Sequence, residues 1–162
     1  MTYLLDSNVF IEAKNRYYGF DFCPAFWDWI ERAHVSGDVF SIESVRIELI
    51  GGSDELSEWA RQRAASFFQS PDATTVPSLQ ATSTWASNAG YEPAAVATFL
   101  QDADYYLVAQ AHASGQTLVT HEVVSNSLKR IKIPDACLAL GVRYMTPFEM
   151  LRVEQAKFVI GS

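Results

Sequence analysis

Cysteine is scarce. The 162 residues hold two, Cys23 and Cys137, far apart and outside any zinc-type spacing. A disulfide framework and a structural zinc are excluded on that ground, and both thiols are expected to be buried and free in a cytoplasmic protein. A chain of this length buries roughly two-thirds of its unfolded surface, so it needs neither. Long hydrophobic runs are missing as well: none approaches the 18 or so residues of a membrane span, and no membrane association is expected. The first ten residues carry Asp6 and no basic stretch, so they do not read as a secretory signal.

Positive charge is in short supply. Twelve Lys and Arg stand against nineteen Asp and Glu, for a net charge of −7. Alone, that argues against a nucleic-acid binder, because neutralising phosphates needs cations. Acids gathered around divalent ions reverse the local field, so the placement of the acids decides the matter. Hydrophobic residues make up 49% and charged residues 19%, which excludes a disordered chain. Repeats, low-complexity stretches and linkers are absent, and a single domain over residues 1–162 is expected.

What is present alternates. Tyr3-Leu4-Leu5 reads as a buried strand. A short helix is expected over residues 8–14, a loop over 15–22, and a helix from Pro24 to His34, with proline at the first helical position. Residues 39–42 read as a strand and 45–49 as a short helix stopped by Gly51-Gly52. The apolar spacing of Leu56, Trp59, Ala60, Ala64, Phe67 and Phe68 predicts one helix capped by Ser53 and running to Phe68. Further helices are expected from Leu79 to Ala89, over 94–113 as one helix or two abutting ones, over 135–140, and from Pro147 to Leu151. Strands are expected at 117–120, 131–133 and 142–145. Strands alternating with helices predict a three-layer α/β/α sandwich with a mostly parallel sheet.

Four acids fall at informative places. Asp6 closes the first strand, and Glu122 lies two residues beyond the strand-terminal Thr120. Glu48 sits in the short helix after the second strand, and Asp104 near the start of an apolar helix. Ligands of open α/β sheets bind beyond the carboxyl ends of strands. Carboxylates in apolar surroundings that also repel one another call for a hard divalent cation with oxygen ligands. Two such ions can activate a water and stabilise the leaving oxygen of a phosphodiester.

The segment Leu4-Leu5-Asp6-Ser7-Asn8-Val9-Phe10-Ile11 resembles the opening motif of PIN-domain nucleases. Val45-Arg46-Ile47-Glu48-Leu49 resembles that family's second motif, and Ala103-Asp104-Tyr105-Tyr106-Leu107-Val108-Ala109-Gln110-Ala111 its third. Leu118-Val119-Thr120-His121-Glu122 resembles the fourth, where Asp is more usual than Glu. The order and intervals match, and the resemblance spans most of the chain. It implies a Mg²⁺- or Mn²⁺-dependent ribonuclease, often the toxin of a VapC-type toxin–antitoxin pair, with RNA as substrate, an antitoxin as partner and a possible homodimer. Asp6, Glu48 and Asp104 would be the core metal acids and Glu122 the fourth, reaching the ion directly or through water. Ser7, Asn8 and Thr120 would orient carboxylates or waters. The stretches Arg16–Trp29 and Ile131–Ala136 resemble a less-characterised subfamily.

Several residues carry two readings. Asp6 could cap the following helix, Glu48 could be a solvated helix acid, and Asp102 could be a solvated or capping neighbour of Asp104. Asp135, after Pro134, reads as a helix-start acid. His121 is expected to point away from Glu122. Lys14, Arg16, Lys129, Arg130 and Lys132 could contact RNA phosphates or be solvated. Tyr17, Tyr18, Phe20 and Phe22 could stack bases, or belong to the core or an antitoxin interface. Two other functions stay open: a non-catalytic PIN-like module that binds RNA or protein, and a phosphatase of the haloacid dehalogenase type. The latter needs a second Asp two residues after the first, where this chain has Asn8.

Overall fold

The computed structural model describes residues 1–161. Its centre is β1 (Tyr3–Leu5), three apolar residues with no exposed surface. A strand apolar on both faces must be covered on both, which makes it central in a parallel sheet. On one side it pairs with β2 (Val39–Ile42), and β3 (Phe68–Gln69) lies beyond β2. On the other side it pairs with β4 (Thr117–Val119), with β5 (Tyr144–Met145) beyond that. All four pairings are parallel, and the order is β3-β2-β1-β4-β5. The chain builds outward from β1 to β3 and then restarts on the opposite side at β4. The topological switch point therefore lies between β1 and β4, and the crevice at their carboxyl ends is where such sheets bind ligands.

Helices fill the layers on either side. They are α1 (Ser7–Glu12), α2 (Pro24–Val35), α3 (Glu43–Ile50), α4 (Glu55–Arg61), α5 (Val76–Asn88), α6 (Pro93–Gln101), α7 (Ala103–Ser114), α8 (Ile133–Leu140) and α9 (Pro147–Val153). The helices α5, α6 and α8 pack around α7, whose Leu107, Val108 and Ala111 are buried. Proline stands at the first or second position of α2, α5, α6, α8 and α9, where its missing N–H costs nothing. Gly115, at φ 74°, closes α7 in the left-handed conformation that glycine adopts without strain. No helix among the described residues is long and apolar enough to cross a membrane.

The expected α/β/α sandwich is observed, with local corrections. The long helix ending at Phe68 does not form. Asp54, rather than Ser53, caps α4 by accepting from the Ser57 amide at 3.0 Å, and the helix stops at Arg61. Ala65–Phe67 makes a 3₁₀ turn and Phe68 opens β3 opposite Ser41. This sidestep buries both phenyl rings: Phe67 packs on Phe10, Trp59 and His34. Tertiary burial has overridden a helical spacing that one face alone would have satisfied.

Residues 131–133 form no strand. Ile133 opens α8, with Pro134 in its first turn, and Ile131 is buried in an irregular segment. The alternation of Ile131 and Ile133 reflects burial, not a ladder. The loop expected from Asn15 begins later, because a π-helical stretch, Ala13–Tyr17, prolongs α1. Residues 94–113 make two helices, α6 and α7, parted where Asp102 turns extended at ψ 160°. Cys137 is buried and Cys23 partly so, and both are free thiols.

Candidate active site

Asp6 leaves β1 at the switch point. Its amide donates to the Val119 carbonyl at 2.9 Å, so the strand pairing with β4 itself fixes its backbone. Asp6 occupies the cap position of α1, yet its side chain makes no capping hydrogen bond. The carboxyl turns instead toward the crevice, where Thr120 Oγ1 donates to Oδ2 at 2.8 Å and Ser7 Oγ to Oδ1 at 3.4 Å. The capping role is therefore not the one this side chain performs.

Thr120 is the hub of the site. Besides donating to Asp6, its hydroxyl oxygen accepts from Asn8 Nδ2 at 3.3 Å and from the Glu122 amide at 3.0 Å. Asn8 Oδ1 accepts from the His121 amide at 3.2 Å. One buried hydroxyl and one carboxamide thus tie the end of β1 to the turn after β4. Glu122 is held at its far end too, because Oε1 accepts from the Ile133 amide, at the start of α8, at 3.3 Å.

Glu48 on α3 and Asp104 in the first turn of α7 approach from neighbouring elements. Asp6 is buried, Asp104 half-buried and Glu48 exposed. Their electrostatics show that they share one region. Burial, more than the donors can offset, pushes the Asp6 carboxyl up to about 7, and Glu122 and Glu48 add repulsion. Asp104 is pushed up to about 8 by burial first, then by the charges of Asp6, Glu122, Asp102 and Glu48. Glu48 is raised, first by the burial of its carboxyl end and then by the charge of Asp102, and the neighbouring Ser7 hydroxyl lowers it. Asp102 is exposed at the α6–α7 junction, makes no capping bond, and lines the same cleft as Asp104.

These donors are hard oxygens that repel one another at the switch point, the type of donor a divalent cation takes. The spacing is open. Among the described residues no three Asp, Glu, His or Cys side chains cluster closely enough to ligate one ion. An ion there would meet one or two carboxylates directly and the others through water, which is how Mg²⁺ is usually held.

The basic residues divide into two groups. Lys14 pairs with Asp54 at 3.2 Å and Arg16 with Glu12 at 3.2 Å. Lys129 and Arg130 are exposed, form no salt bridge among the described residues, and line the cleft that holds Asp104. Lys132 sits at the cap of α8. The aromatics divide similarly. Tyr18 stacks on Phe26 at 4.6 Å and Phe20 on Trp27 at 4.0 Å, which occupies those two faces within the protein. Tyr17 and Phe22 stay exposed. His121 stacks on Tyr17 and meets the edge of Phe148. Asp135 does more than start a helix. It receives the Ser125 amide at 3.1 Å and so anchors the loop carrying Lys129 and Arg130. No sequence spacing signals that hydrogen bond.

A family model described as "Domain of unknown function (DUF4411)" matches residues 3–158. The chain belongs to the DUF4411 family. Among solved structures this DUF4411 chain is similar to one in the crystal structure of VapBC2 from Rickettsia felis, bound to a DNA fragment from their promoter. The two are 14% identical, with a TM-score of 0.55, over 90% of this chain and 98% of the other. At that identity the likeness shows a shared fold. No curated protein matches the sequence.

The hub role of Thr120 in this DUF4411 chain is testable. Thr120→Val keeps the shape but removes one donor and one acceptor, so Asp6 Oδ2, Asn8 Nδ2 and the Glu122 amide all lose the partner they have in Thr120. Unfolding free energy is expected to fall by about 1–3 kcal/mol. The Asp6 carboxyl should titrate above its present value, because Thr120 now holds it down. Urea unfolding and carboxyl ¹³C titration read the two effects separately.

Proposed function

We propose that this chain is a divalent-metal-dependent endoribonuclease, the cytoplasmic toxin of a type II toxin–antitoxin pair. The observation that carries the reading is the pair Asp6 and Asp104. Both carboxyls lie at the switch point, pushed well above the usual carboxylate range by burial and by neighbouring acids. No cationic side chain forms a salt bridge with either among the described residues. Perturbed acids gathered in one crevice mark a functional site more often than a structural one.

Asp6, Glu48 and Asp104 would hold Mg²⁺ or Mn²⁺, with Glu122 joining through water. When bound, the ion supplies the charge that offsets acid–phosphate repulsion and lowers the pKa of water for in-line attack on a phosphodiester. The chain's own groups do the positioning. Thr120 and Ser7 hold Asp6 in one orientation, while Asn8 and the Ile133 amide keep the Glu122 turn in place. Lys129 and Arg130, beside Asp104, contact the phosphates flanking the scissile bond. Lys14 and Arg16, already paired with acids, contribute less.

Two observations support a protein partner. The fold is shared with a chain of a VapBC2 structure. Val123, Val124 and Leu128 also stand exposed on the loop just beyond Glu122, an apolar strip beside the site that an antitoxin could cover. A homodimer is carried over from the PIN resemblance.

The test is cleavage of single-stranded and structured RNA with Mn²⁺ or Mg²⁺, against the same reaction in chelator. Metal-dependent cleavage is expected. The double variant Lys129→Ala, Arg130→Ala should raise KM and reduce the log–log salt slope by about 1 for each phosphate it no longer neutralises. Hydrolysis of a phosphomonoester with no RNA cleavage would overturn the nuclease reading in favour of a phosphatase.

A further inference from the structure

His121 stands between Thr120 and Glu122, and it is held by its backbone and by its ring. The amide donates to Asn8 Oδ1 at 3.2 Å. The ring stacks on Tyr17, with centroids 5.6 Å apart, and meets Phe148 at 5.6 Å and 63°. Tyr17 and Phe148 touch each other edge to face at 5.0 Å. The three rings therefore form a closed set, each in contact with the other two, and they come from three elements: the π-helical stretch, the turn after β4, and α9. The next residue anchors the set, because Tyr18 packs on Phe26 of α2 and on Phe158 near the end of the chain. The helix is shaped for this contact. In an unbroken α-helix Tyr17 would lie about two and a half turns beyond Asn8 and face the opposite way. The π-helical stretch Ala13–Tyr17 has wider turns, closed where the Tyr18 amide donates to the Ala13 carbonyl at 2.7 Å. Each wide turn takes up extra chain and carries Tyr17 back toward the side that Asn8 faces.

We infer that Tyr17 is a positioning residue: with Phe148 it clamps the His121 ring and so fixes the turn that carries Thr120 and Glu122. One helical unit thus grips that turn twice, through Asn8 to the backbone of His121 and through Tyr17 to its ring. The consequence for metal binding and cleavage rests on the nuclease reading; the clamp itself does not. Thr120 orients Asp6 and its neighbour Glu122 is one of the four site acids, so a shift of the turn misplaces two carboxylates at once. His121 serves here as a ring and not as an acid or a base. The face of Tyr17 that meets His121 is occupied, so on that side the ring supports the turn and is closed to a base of the substrate.

The experiment compares the full chain with Tyr17→Ala, Tyr17→Phe, His121→Ala and His121→Phe. Tyr17 is 41% exposed, so its truncation should leave the fold intact by circular dichroism. Tyr17→Leu, which keeps apolar bulk without a ring, takes the place of Tyr17→Ala if that variant is unfolded. Three quantities are read: hydrogen exchange of the Glu122 amide in the metal-free chain, Mn²⁺ affinity by calorimetry, and kcat and KM for RNA cleavage. In Tyr17→Ala and His121→Ala the Glu122 amide should exchange about tenfold faster, while the Leu118 amide inside β4 keeps its rate. Mn²⁺ affinity and kcat should each fall about tenfold, with KM within about twofold of the wild type. Tyr17→Phe and His121→Phe keep the rings and should match the wild type in all three. The clamp is overturned if Glu122 exchange is unchanged in the ring-less Tyr17 variant, or if Leu118 accelerates equally. A raised KM with unchanged kcat overturns it in favour of a base-stacking Tyr17. His121→Phe as damaging as His121→Ala overturns it in favour of a chemical role for the imidazole. A loosened Glu122 turn in a protein that cleaves no RNA under any metal supports the clamp and removes only the nuclease chemistry.

Discussion

Asp104→Asn is expected to abolish metal-dependent RNA cleavage, with kcat/KM falling by about a thousandfold or more, and Asp6→Asn to do the same. Transition-state charge stabilisation by a bound divalent ion is worth several kcal/mol, and each 1.36 kcal/mol is tenfold in rate. The amide keeps size and hydrogen-bonding shape but removes the charge that would hold the ion. The fold should respond in the opposite direction. Without metal, each carboxylate is a liability, buried and repelled, so its neutral isostere is expected to raise stability above pH 7. A residue whose replacement destroys activity and strengthens the fold is one kept for chemistry. Glu48→Gln and Glu122→Gln should cost less, since Glu48 is exposed and Glu122 is partly engaged by the Ile133 amide.

The second large effect is the pH dependence of the metal-free protein. Asp6 and Asp104 titrate at about 7 and about 8 in the fold, against an ordinary value of 3.8. Below pH 3.8 both are protonated whether the chain is folded or not, and they contribute no difference. As pH rises past about 4 the unfolded chain releases these protons while the folded chain retains them. Stability therefore falls with rising pH, by up to about 1.4 kcal/mol per unit for each group, and levels off above about pH 8. Burial, the first cause for both, acts on each group separately, and only the repulsion between them is counted once. A loss of roughly several kcal/mol between about pH 4 and 7.5 is expected from this pair. The usual acid-denaturation trend, set by carboxylates lowered by their partners, runs the other way. Adding Mn²⁺ or Mg²⁺ at about pH 7.5 should return most of the loss, because an ion that binds only the folded state stabilises it by mass action. Thermal unfolding in chelator across pH, repeated with metal, checks both halves of this expectation.

The parts of the fold legible in the sequence are those where local pattern and tertiary role coincide. Tyr3-Leu4-Leu5 is apolar at every position because both faces of β1 are covered. Pro24 and Gly115 mark helix ends by their own backbone preferences, without help from the rest of the chain. The segment up to Phe68 misleads because the 3.6-residue spacing of its aromatics fits a helix equally well. Only the nearby Phe10, Trp59 and His34 make the 3₁₀ turn and the short strand the better solution. The start of α8 misleads for a different reason: two β-branched residues in alternation outweigh a proline at its preferred helical position.

In the site, the placement of Asp6 and Glu122 follows from strand ends, and that of Glu48 and Asp104 from motif order. The orienting role of Thr120 toward Asp6 follows from the fourth motif too; its further bonds to Asn8 and the Glu122 amide, the loop anchor at Asp135 and the cleft beside Asp104 do not. Each depends on which side chains the sheet order brings face to face, and that order is not written in any window of the sequence.

The proposed chemistry needs a carboxylate set that takes up a divalent ion at the switch point. Calorimetric titration of the metal-free chain with Mn²⁺ at about pH 7, in two buffers of different ionisation enthalpy, tests it most directly. The prediction is one saturable binding process that releases protons, because Asp6 and Asp104 are partly protonated before the ion arrives. In Asp104→Asn, affinity should fall at least about tenfold and proton release should shrink. No binding by the wild type, or the same affinity and proton release in Asp104→Asn, would contradict the central claim.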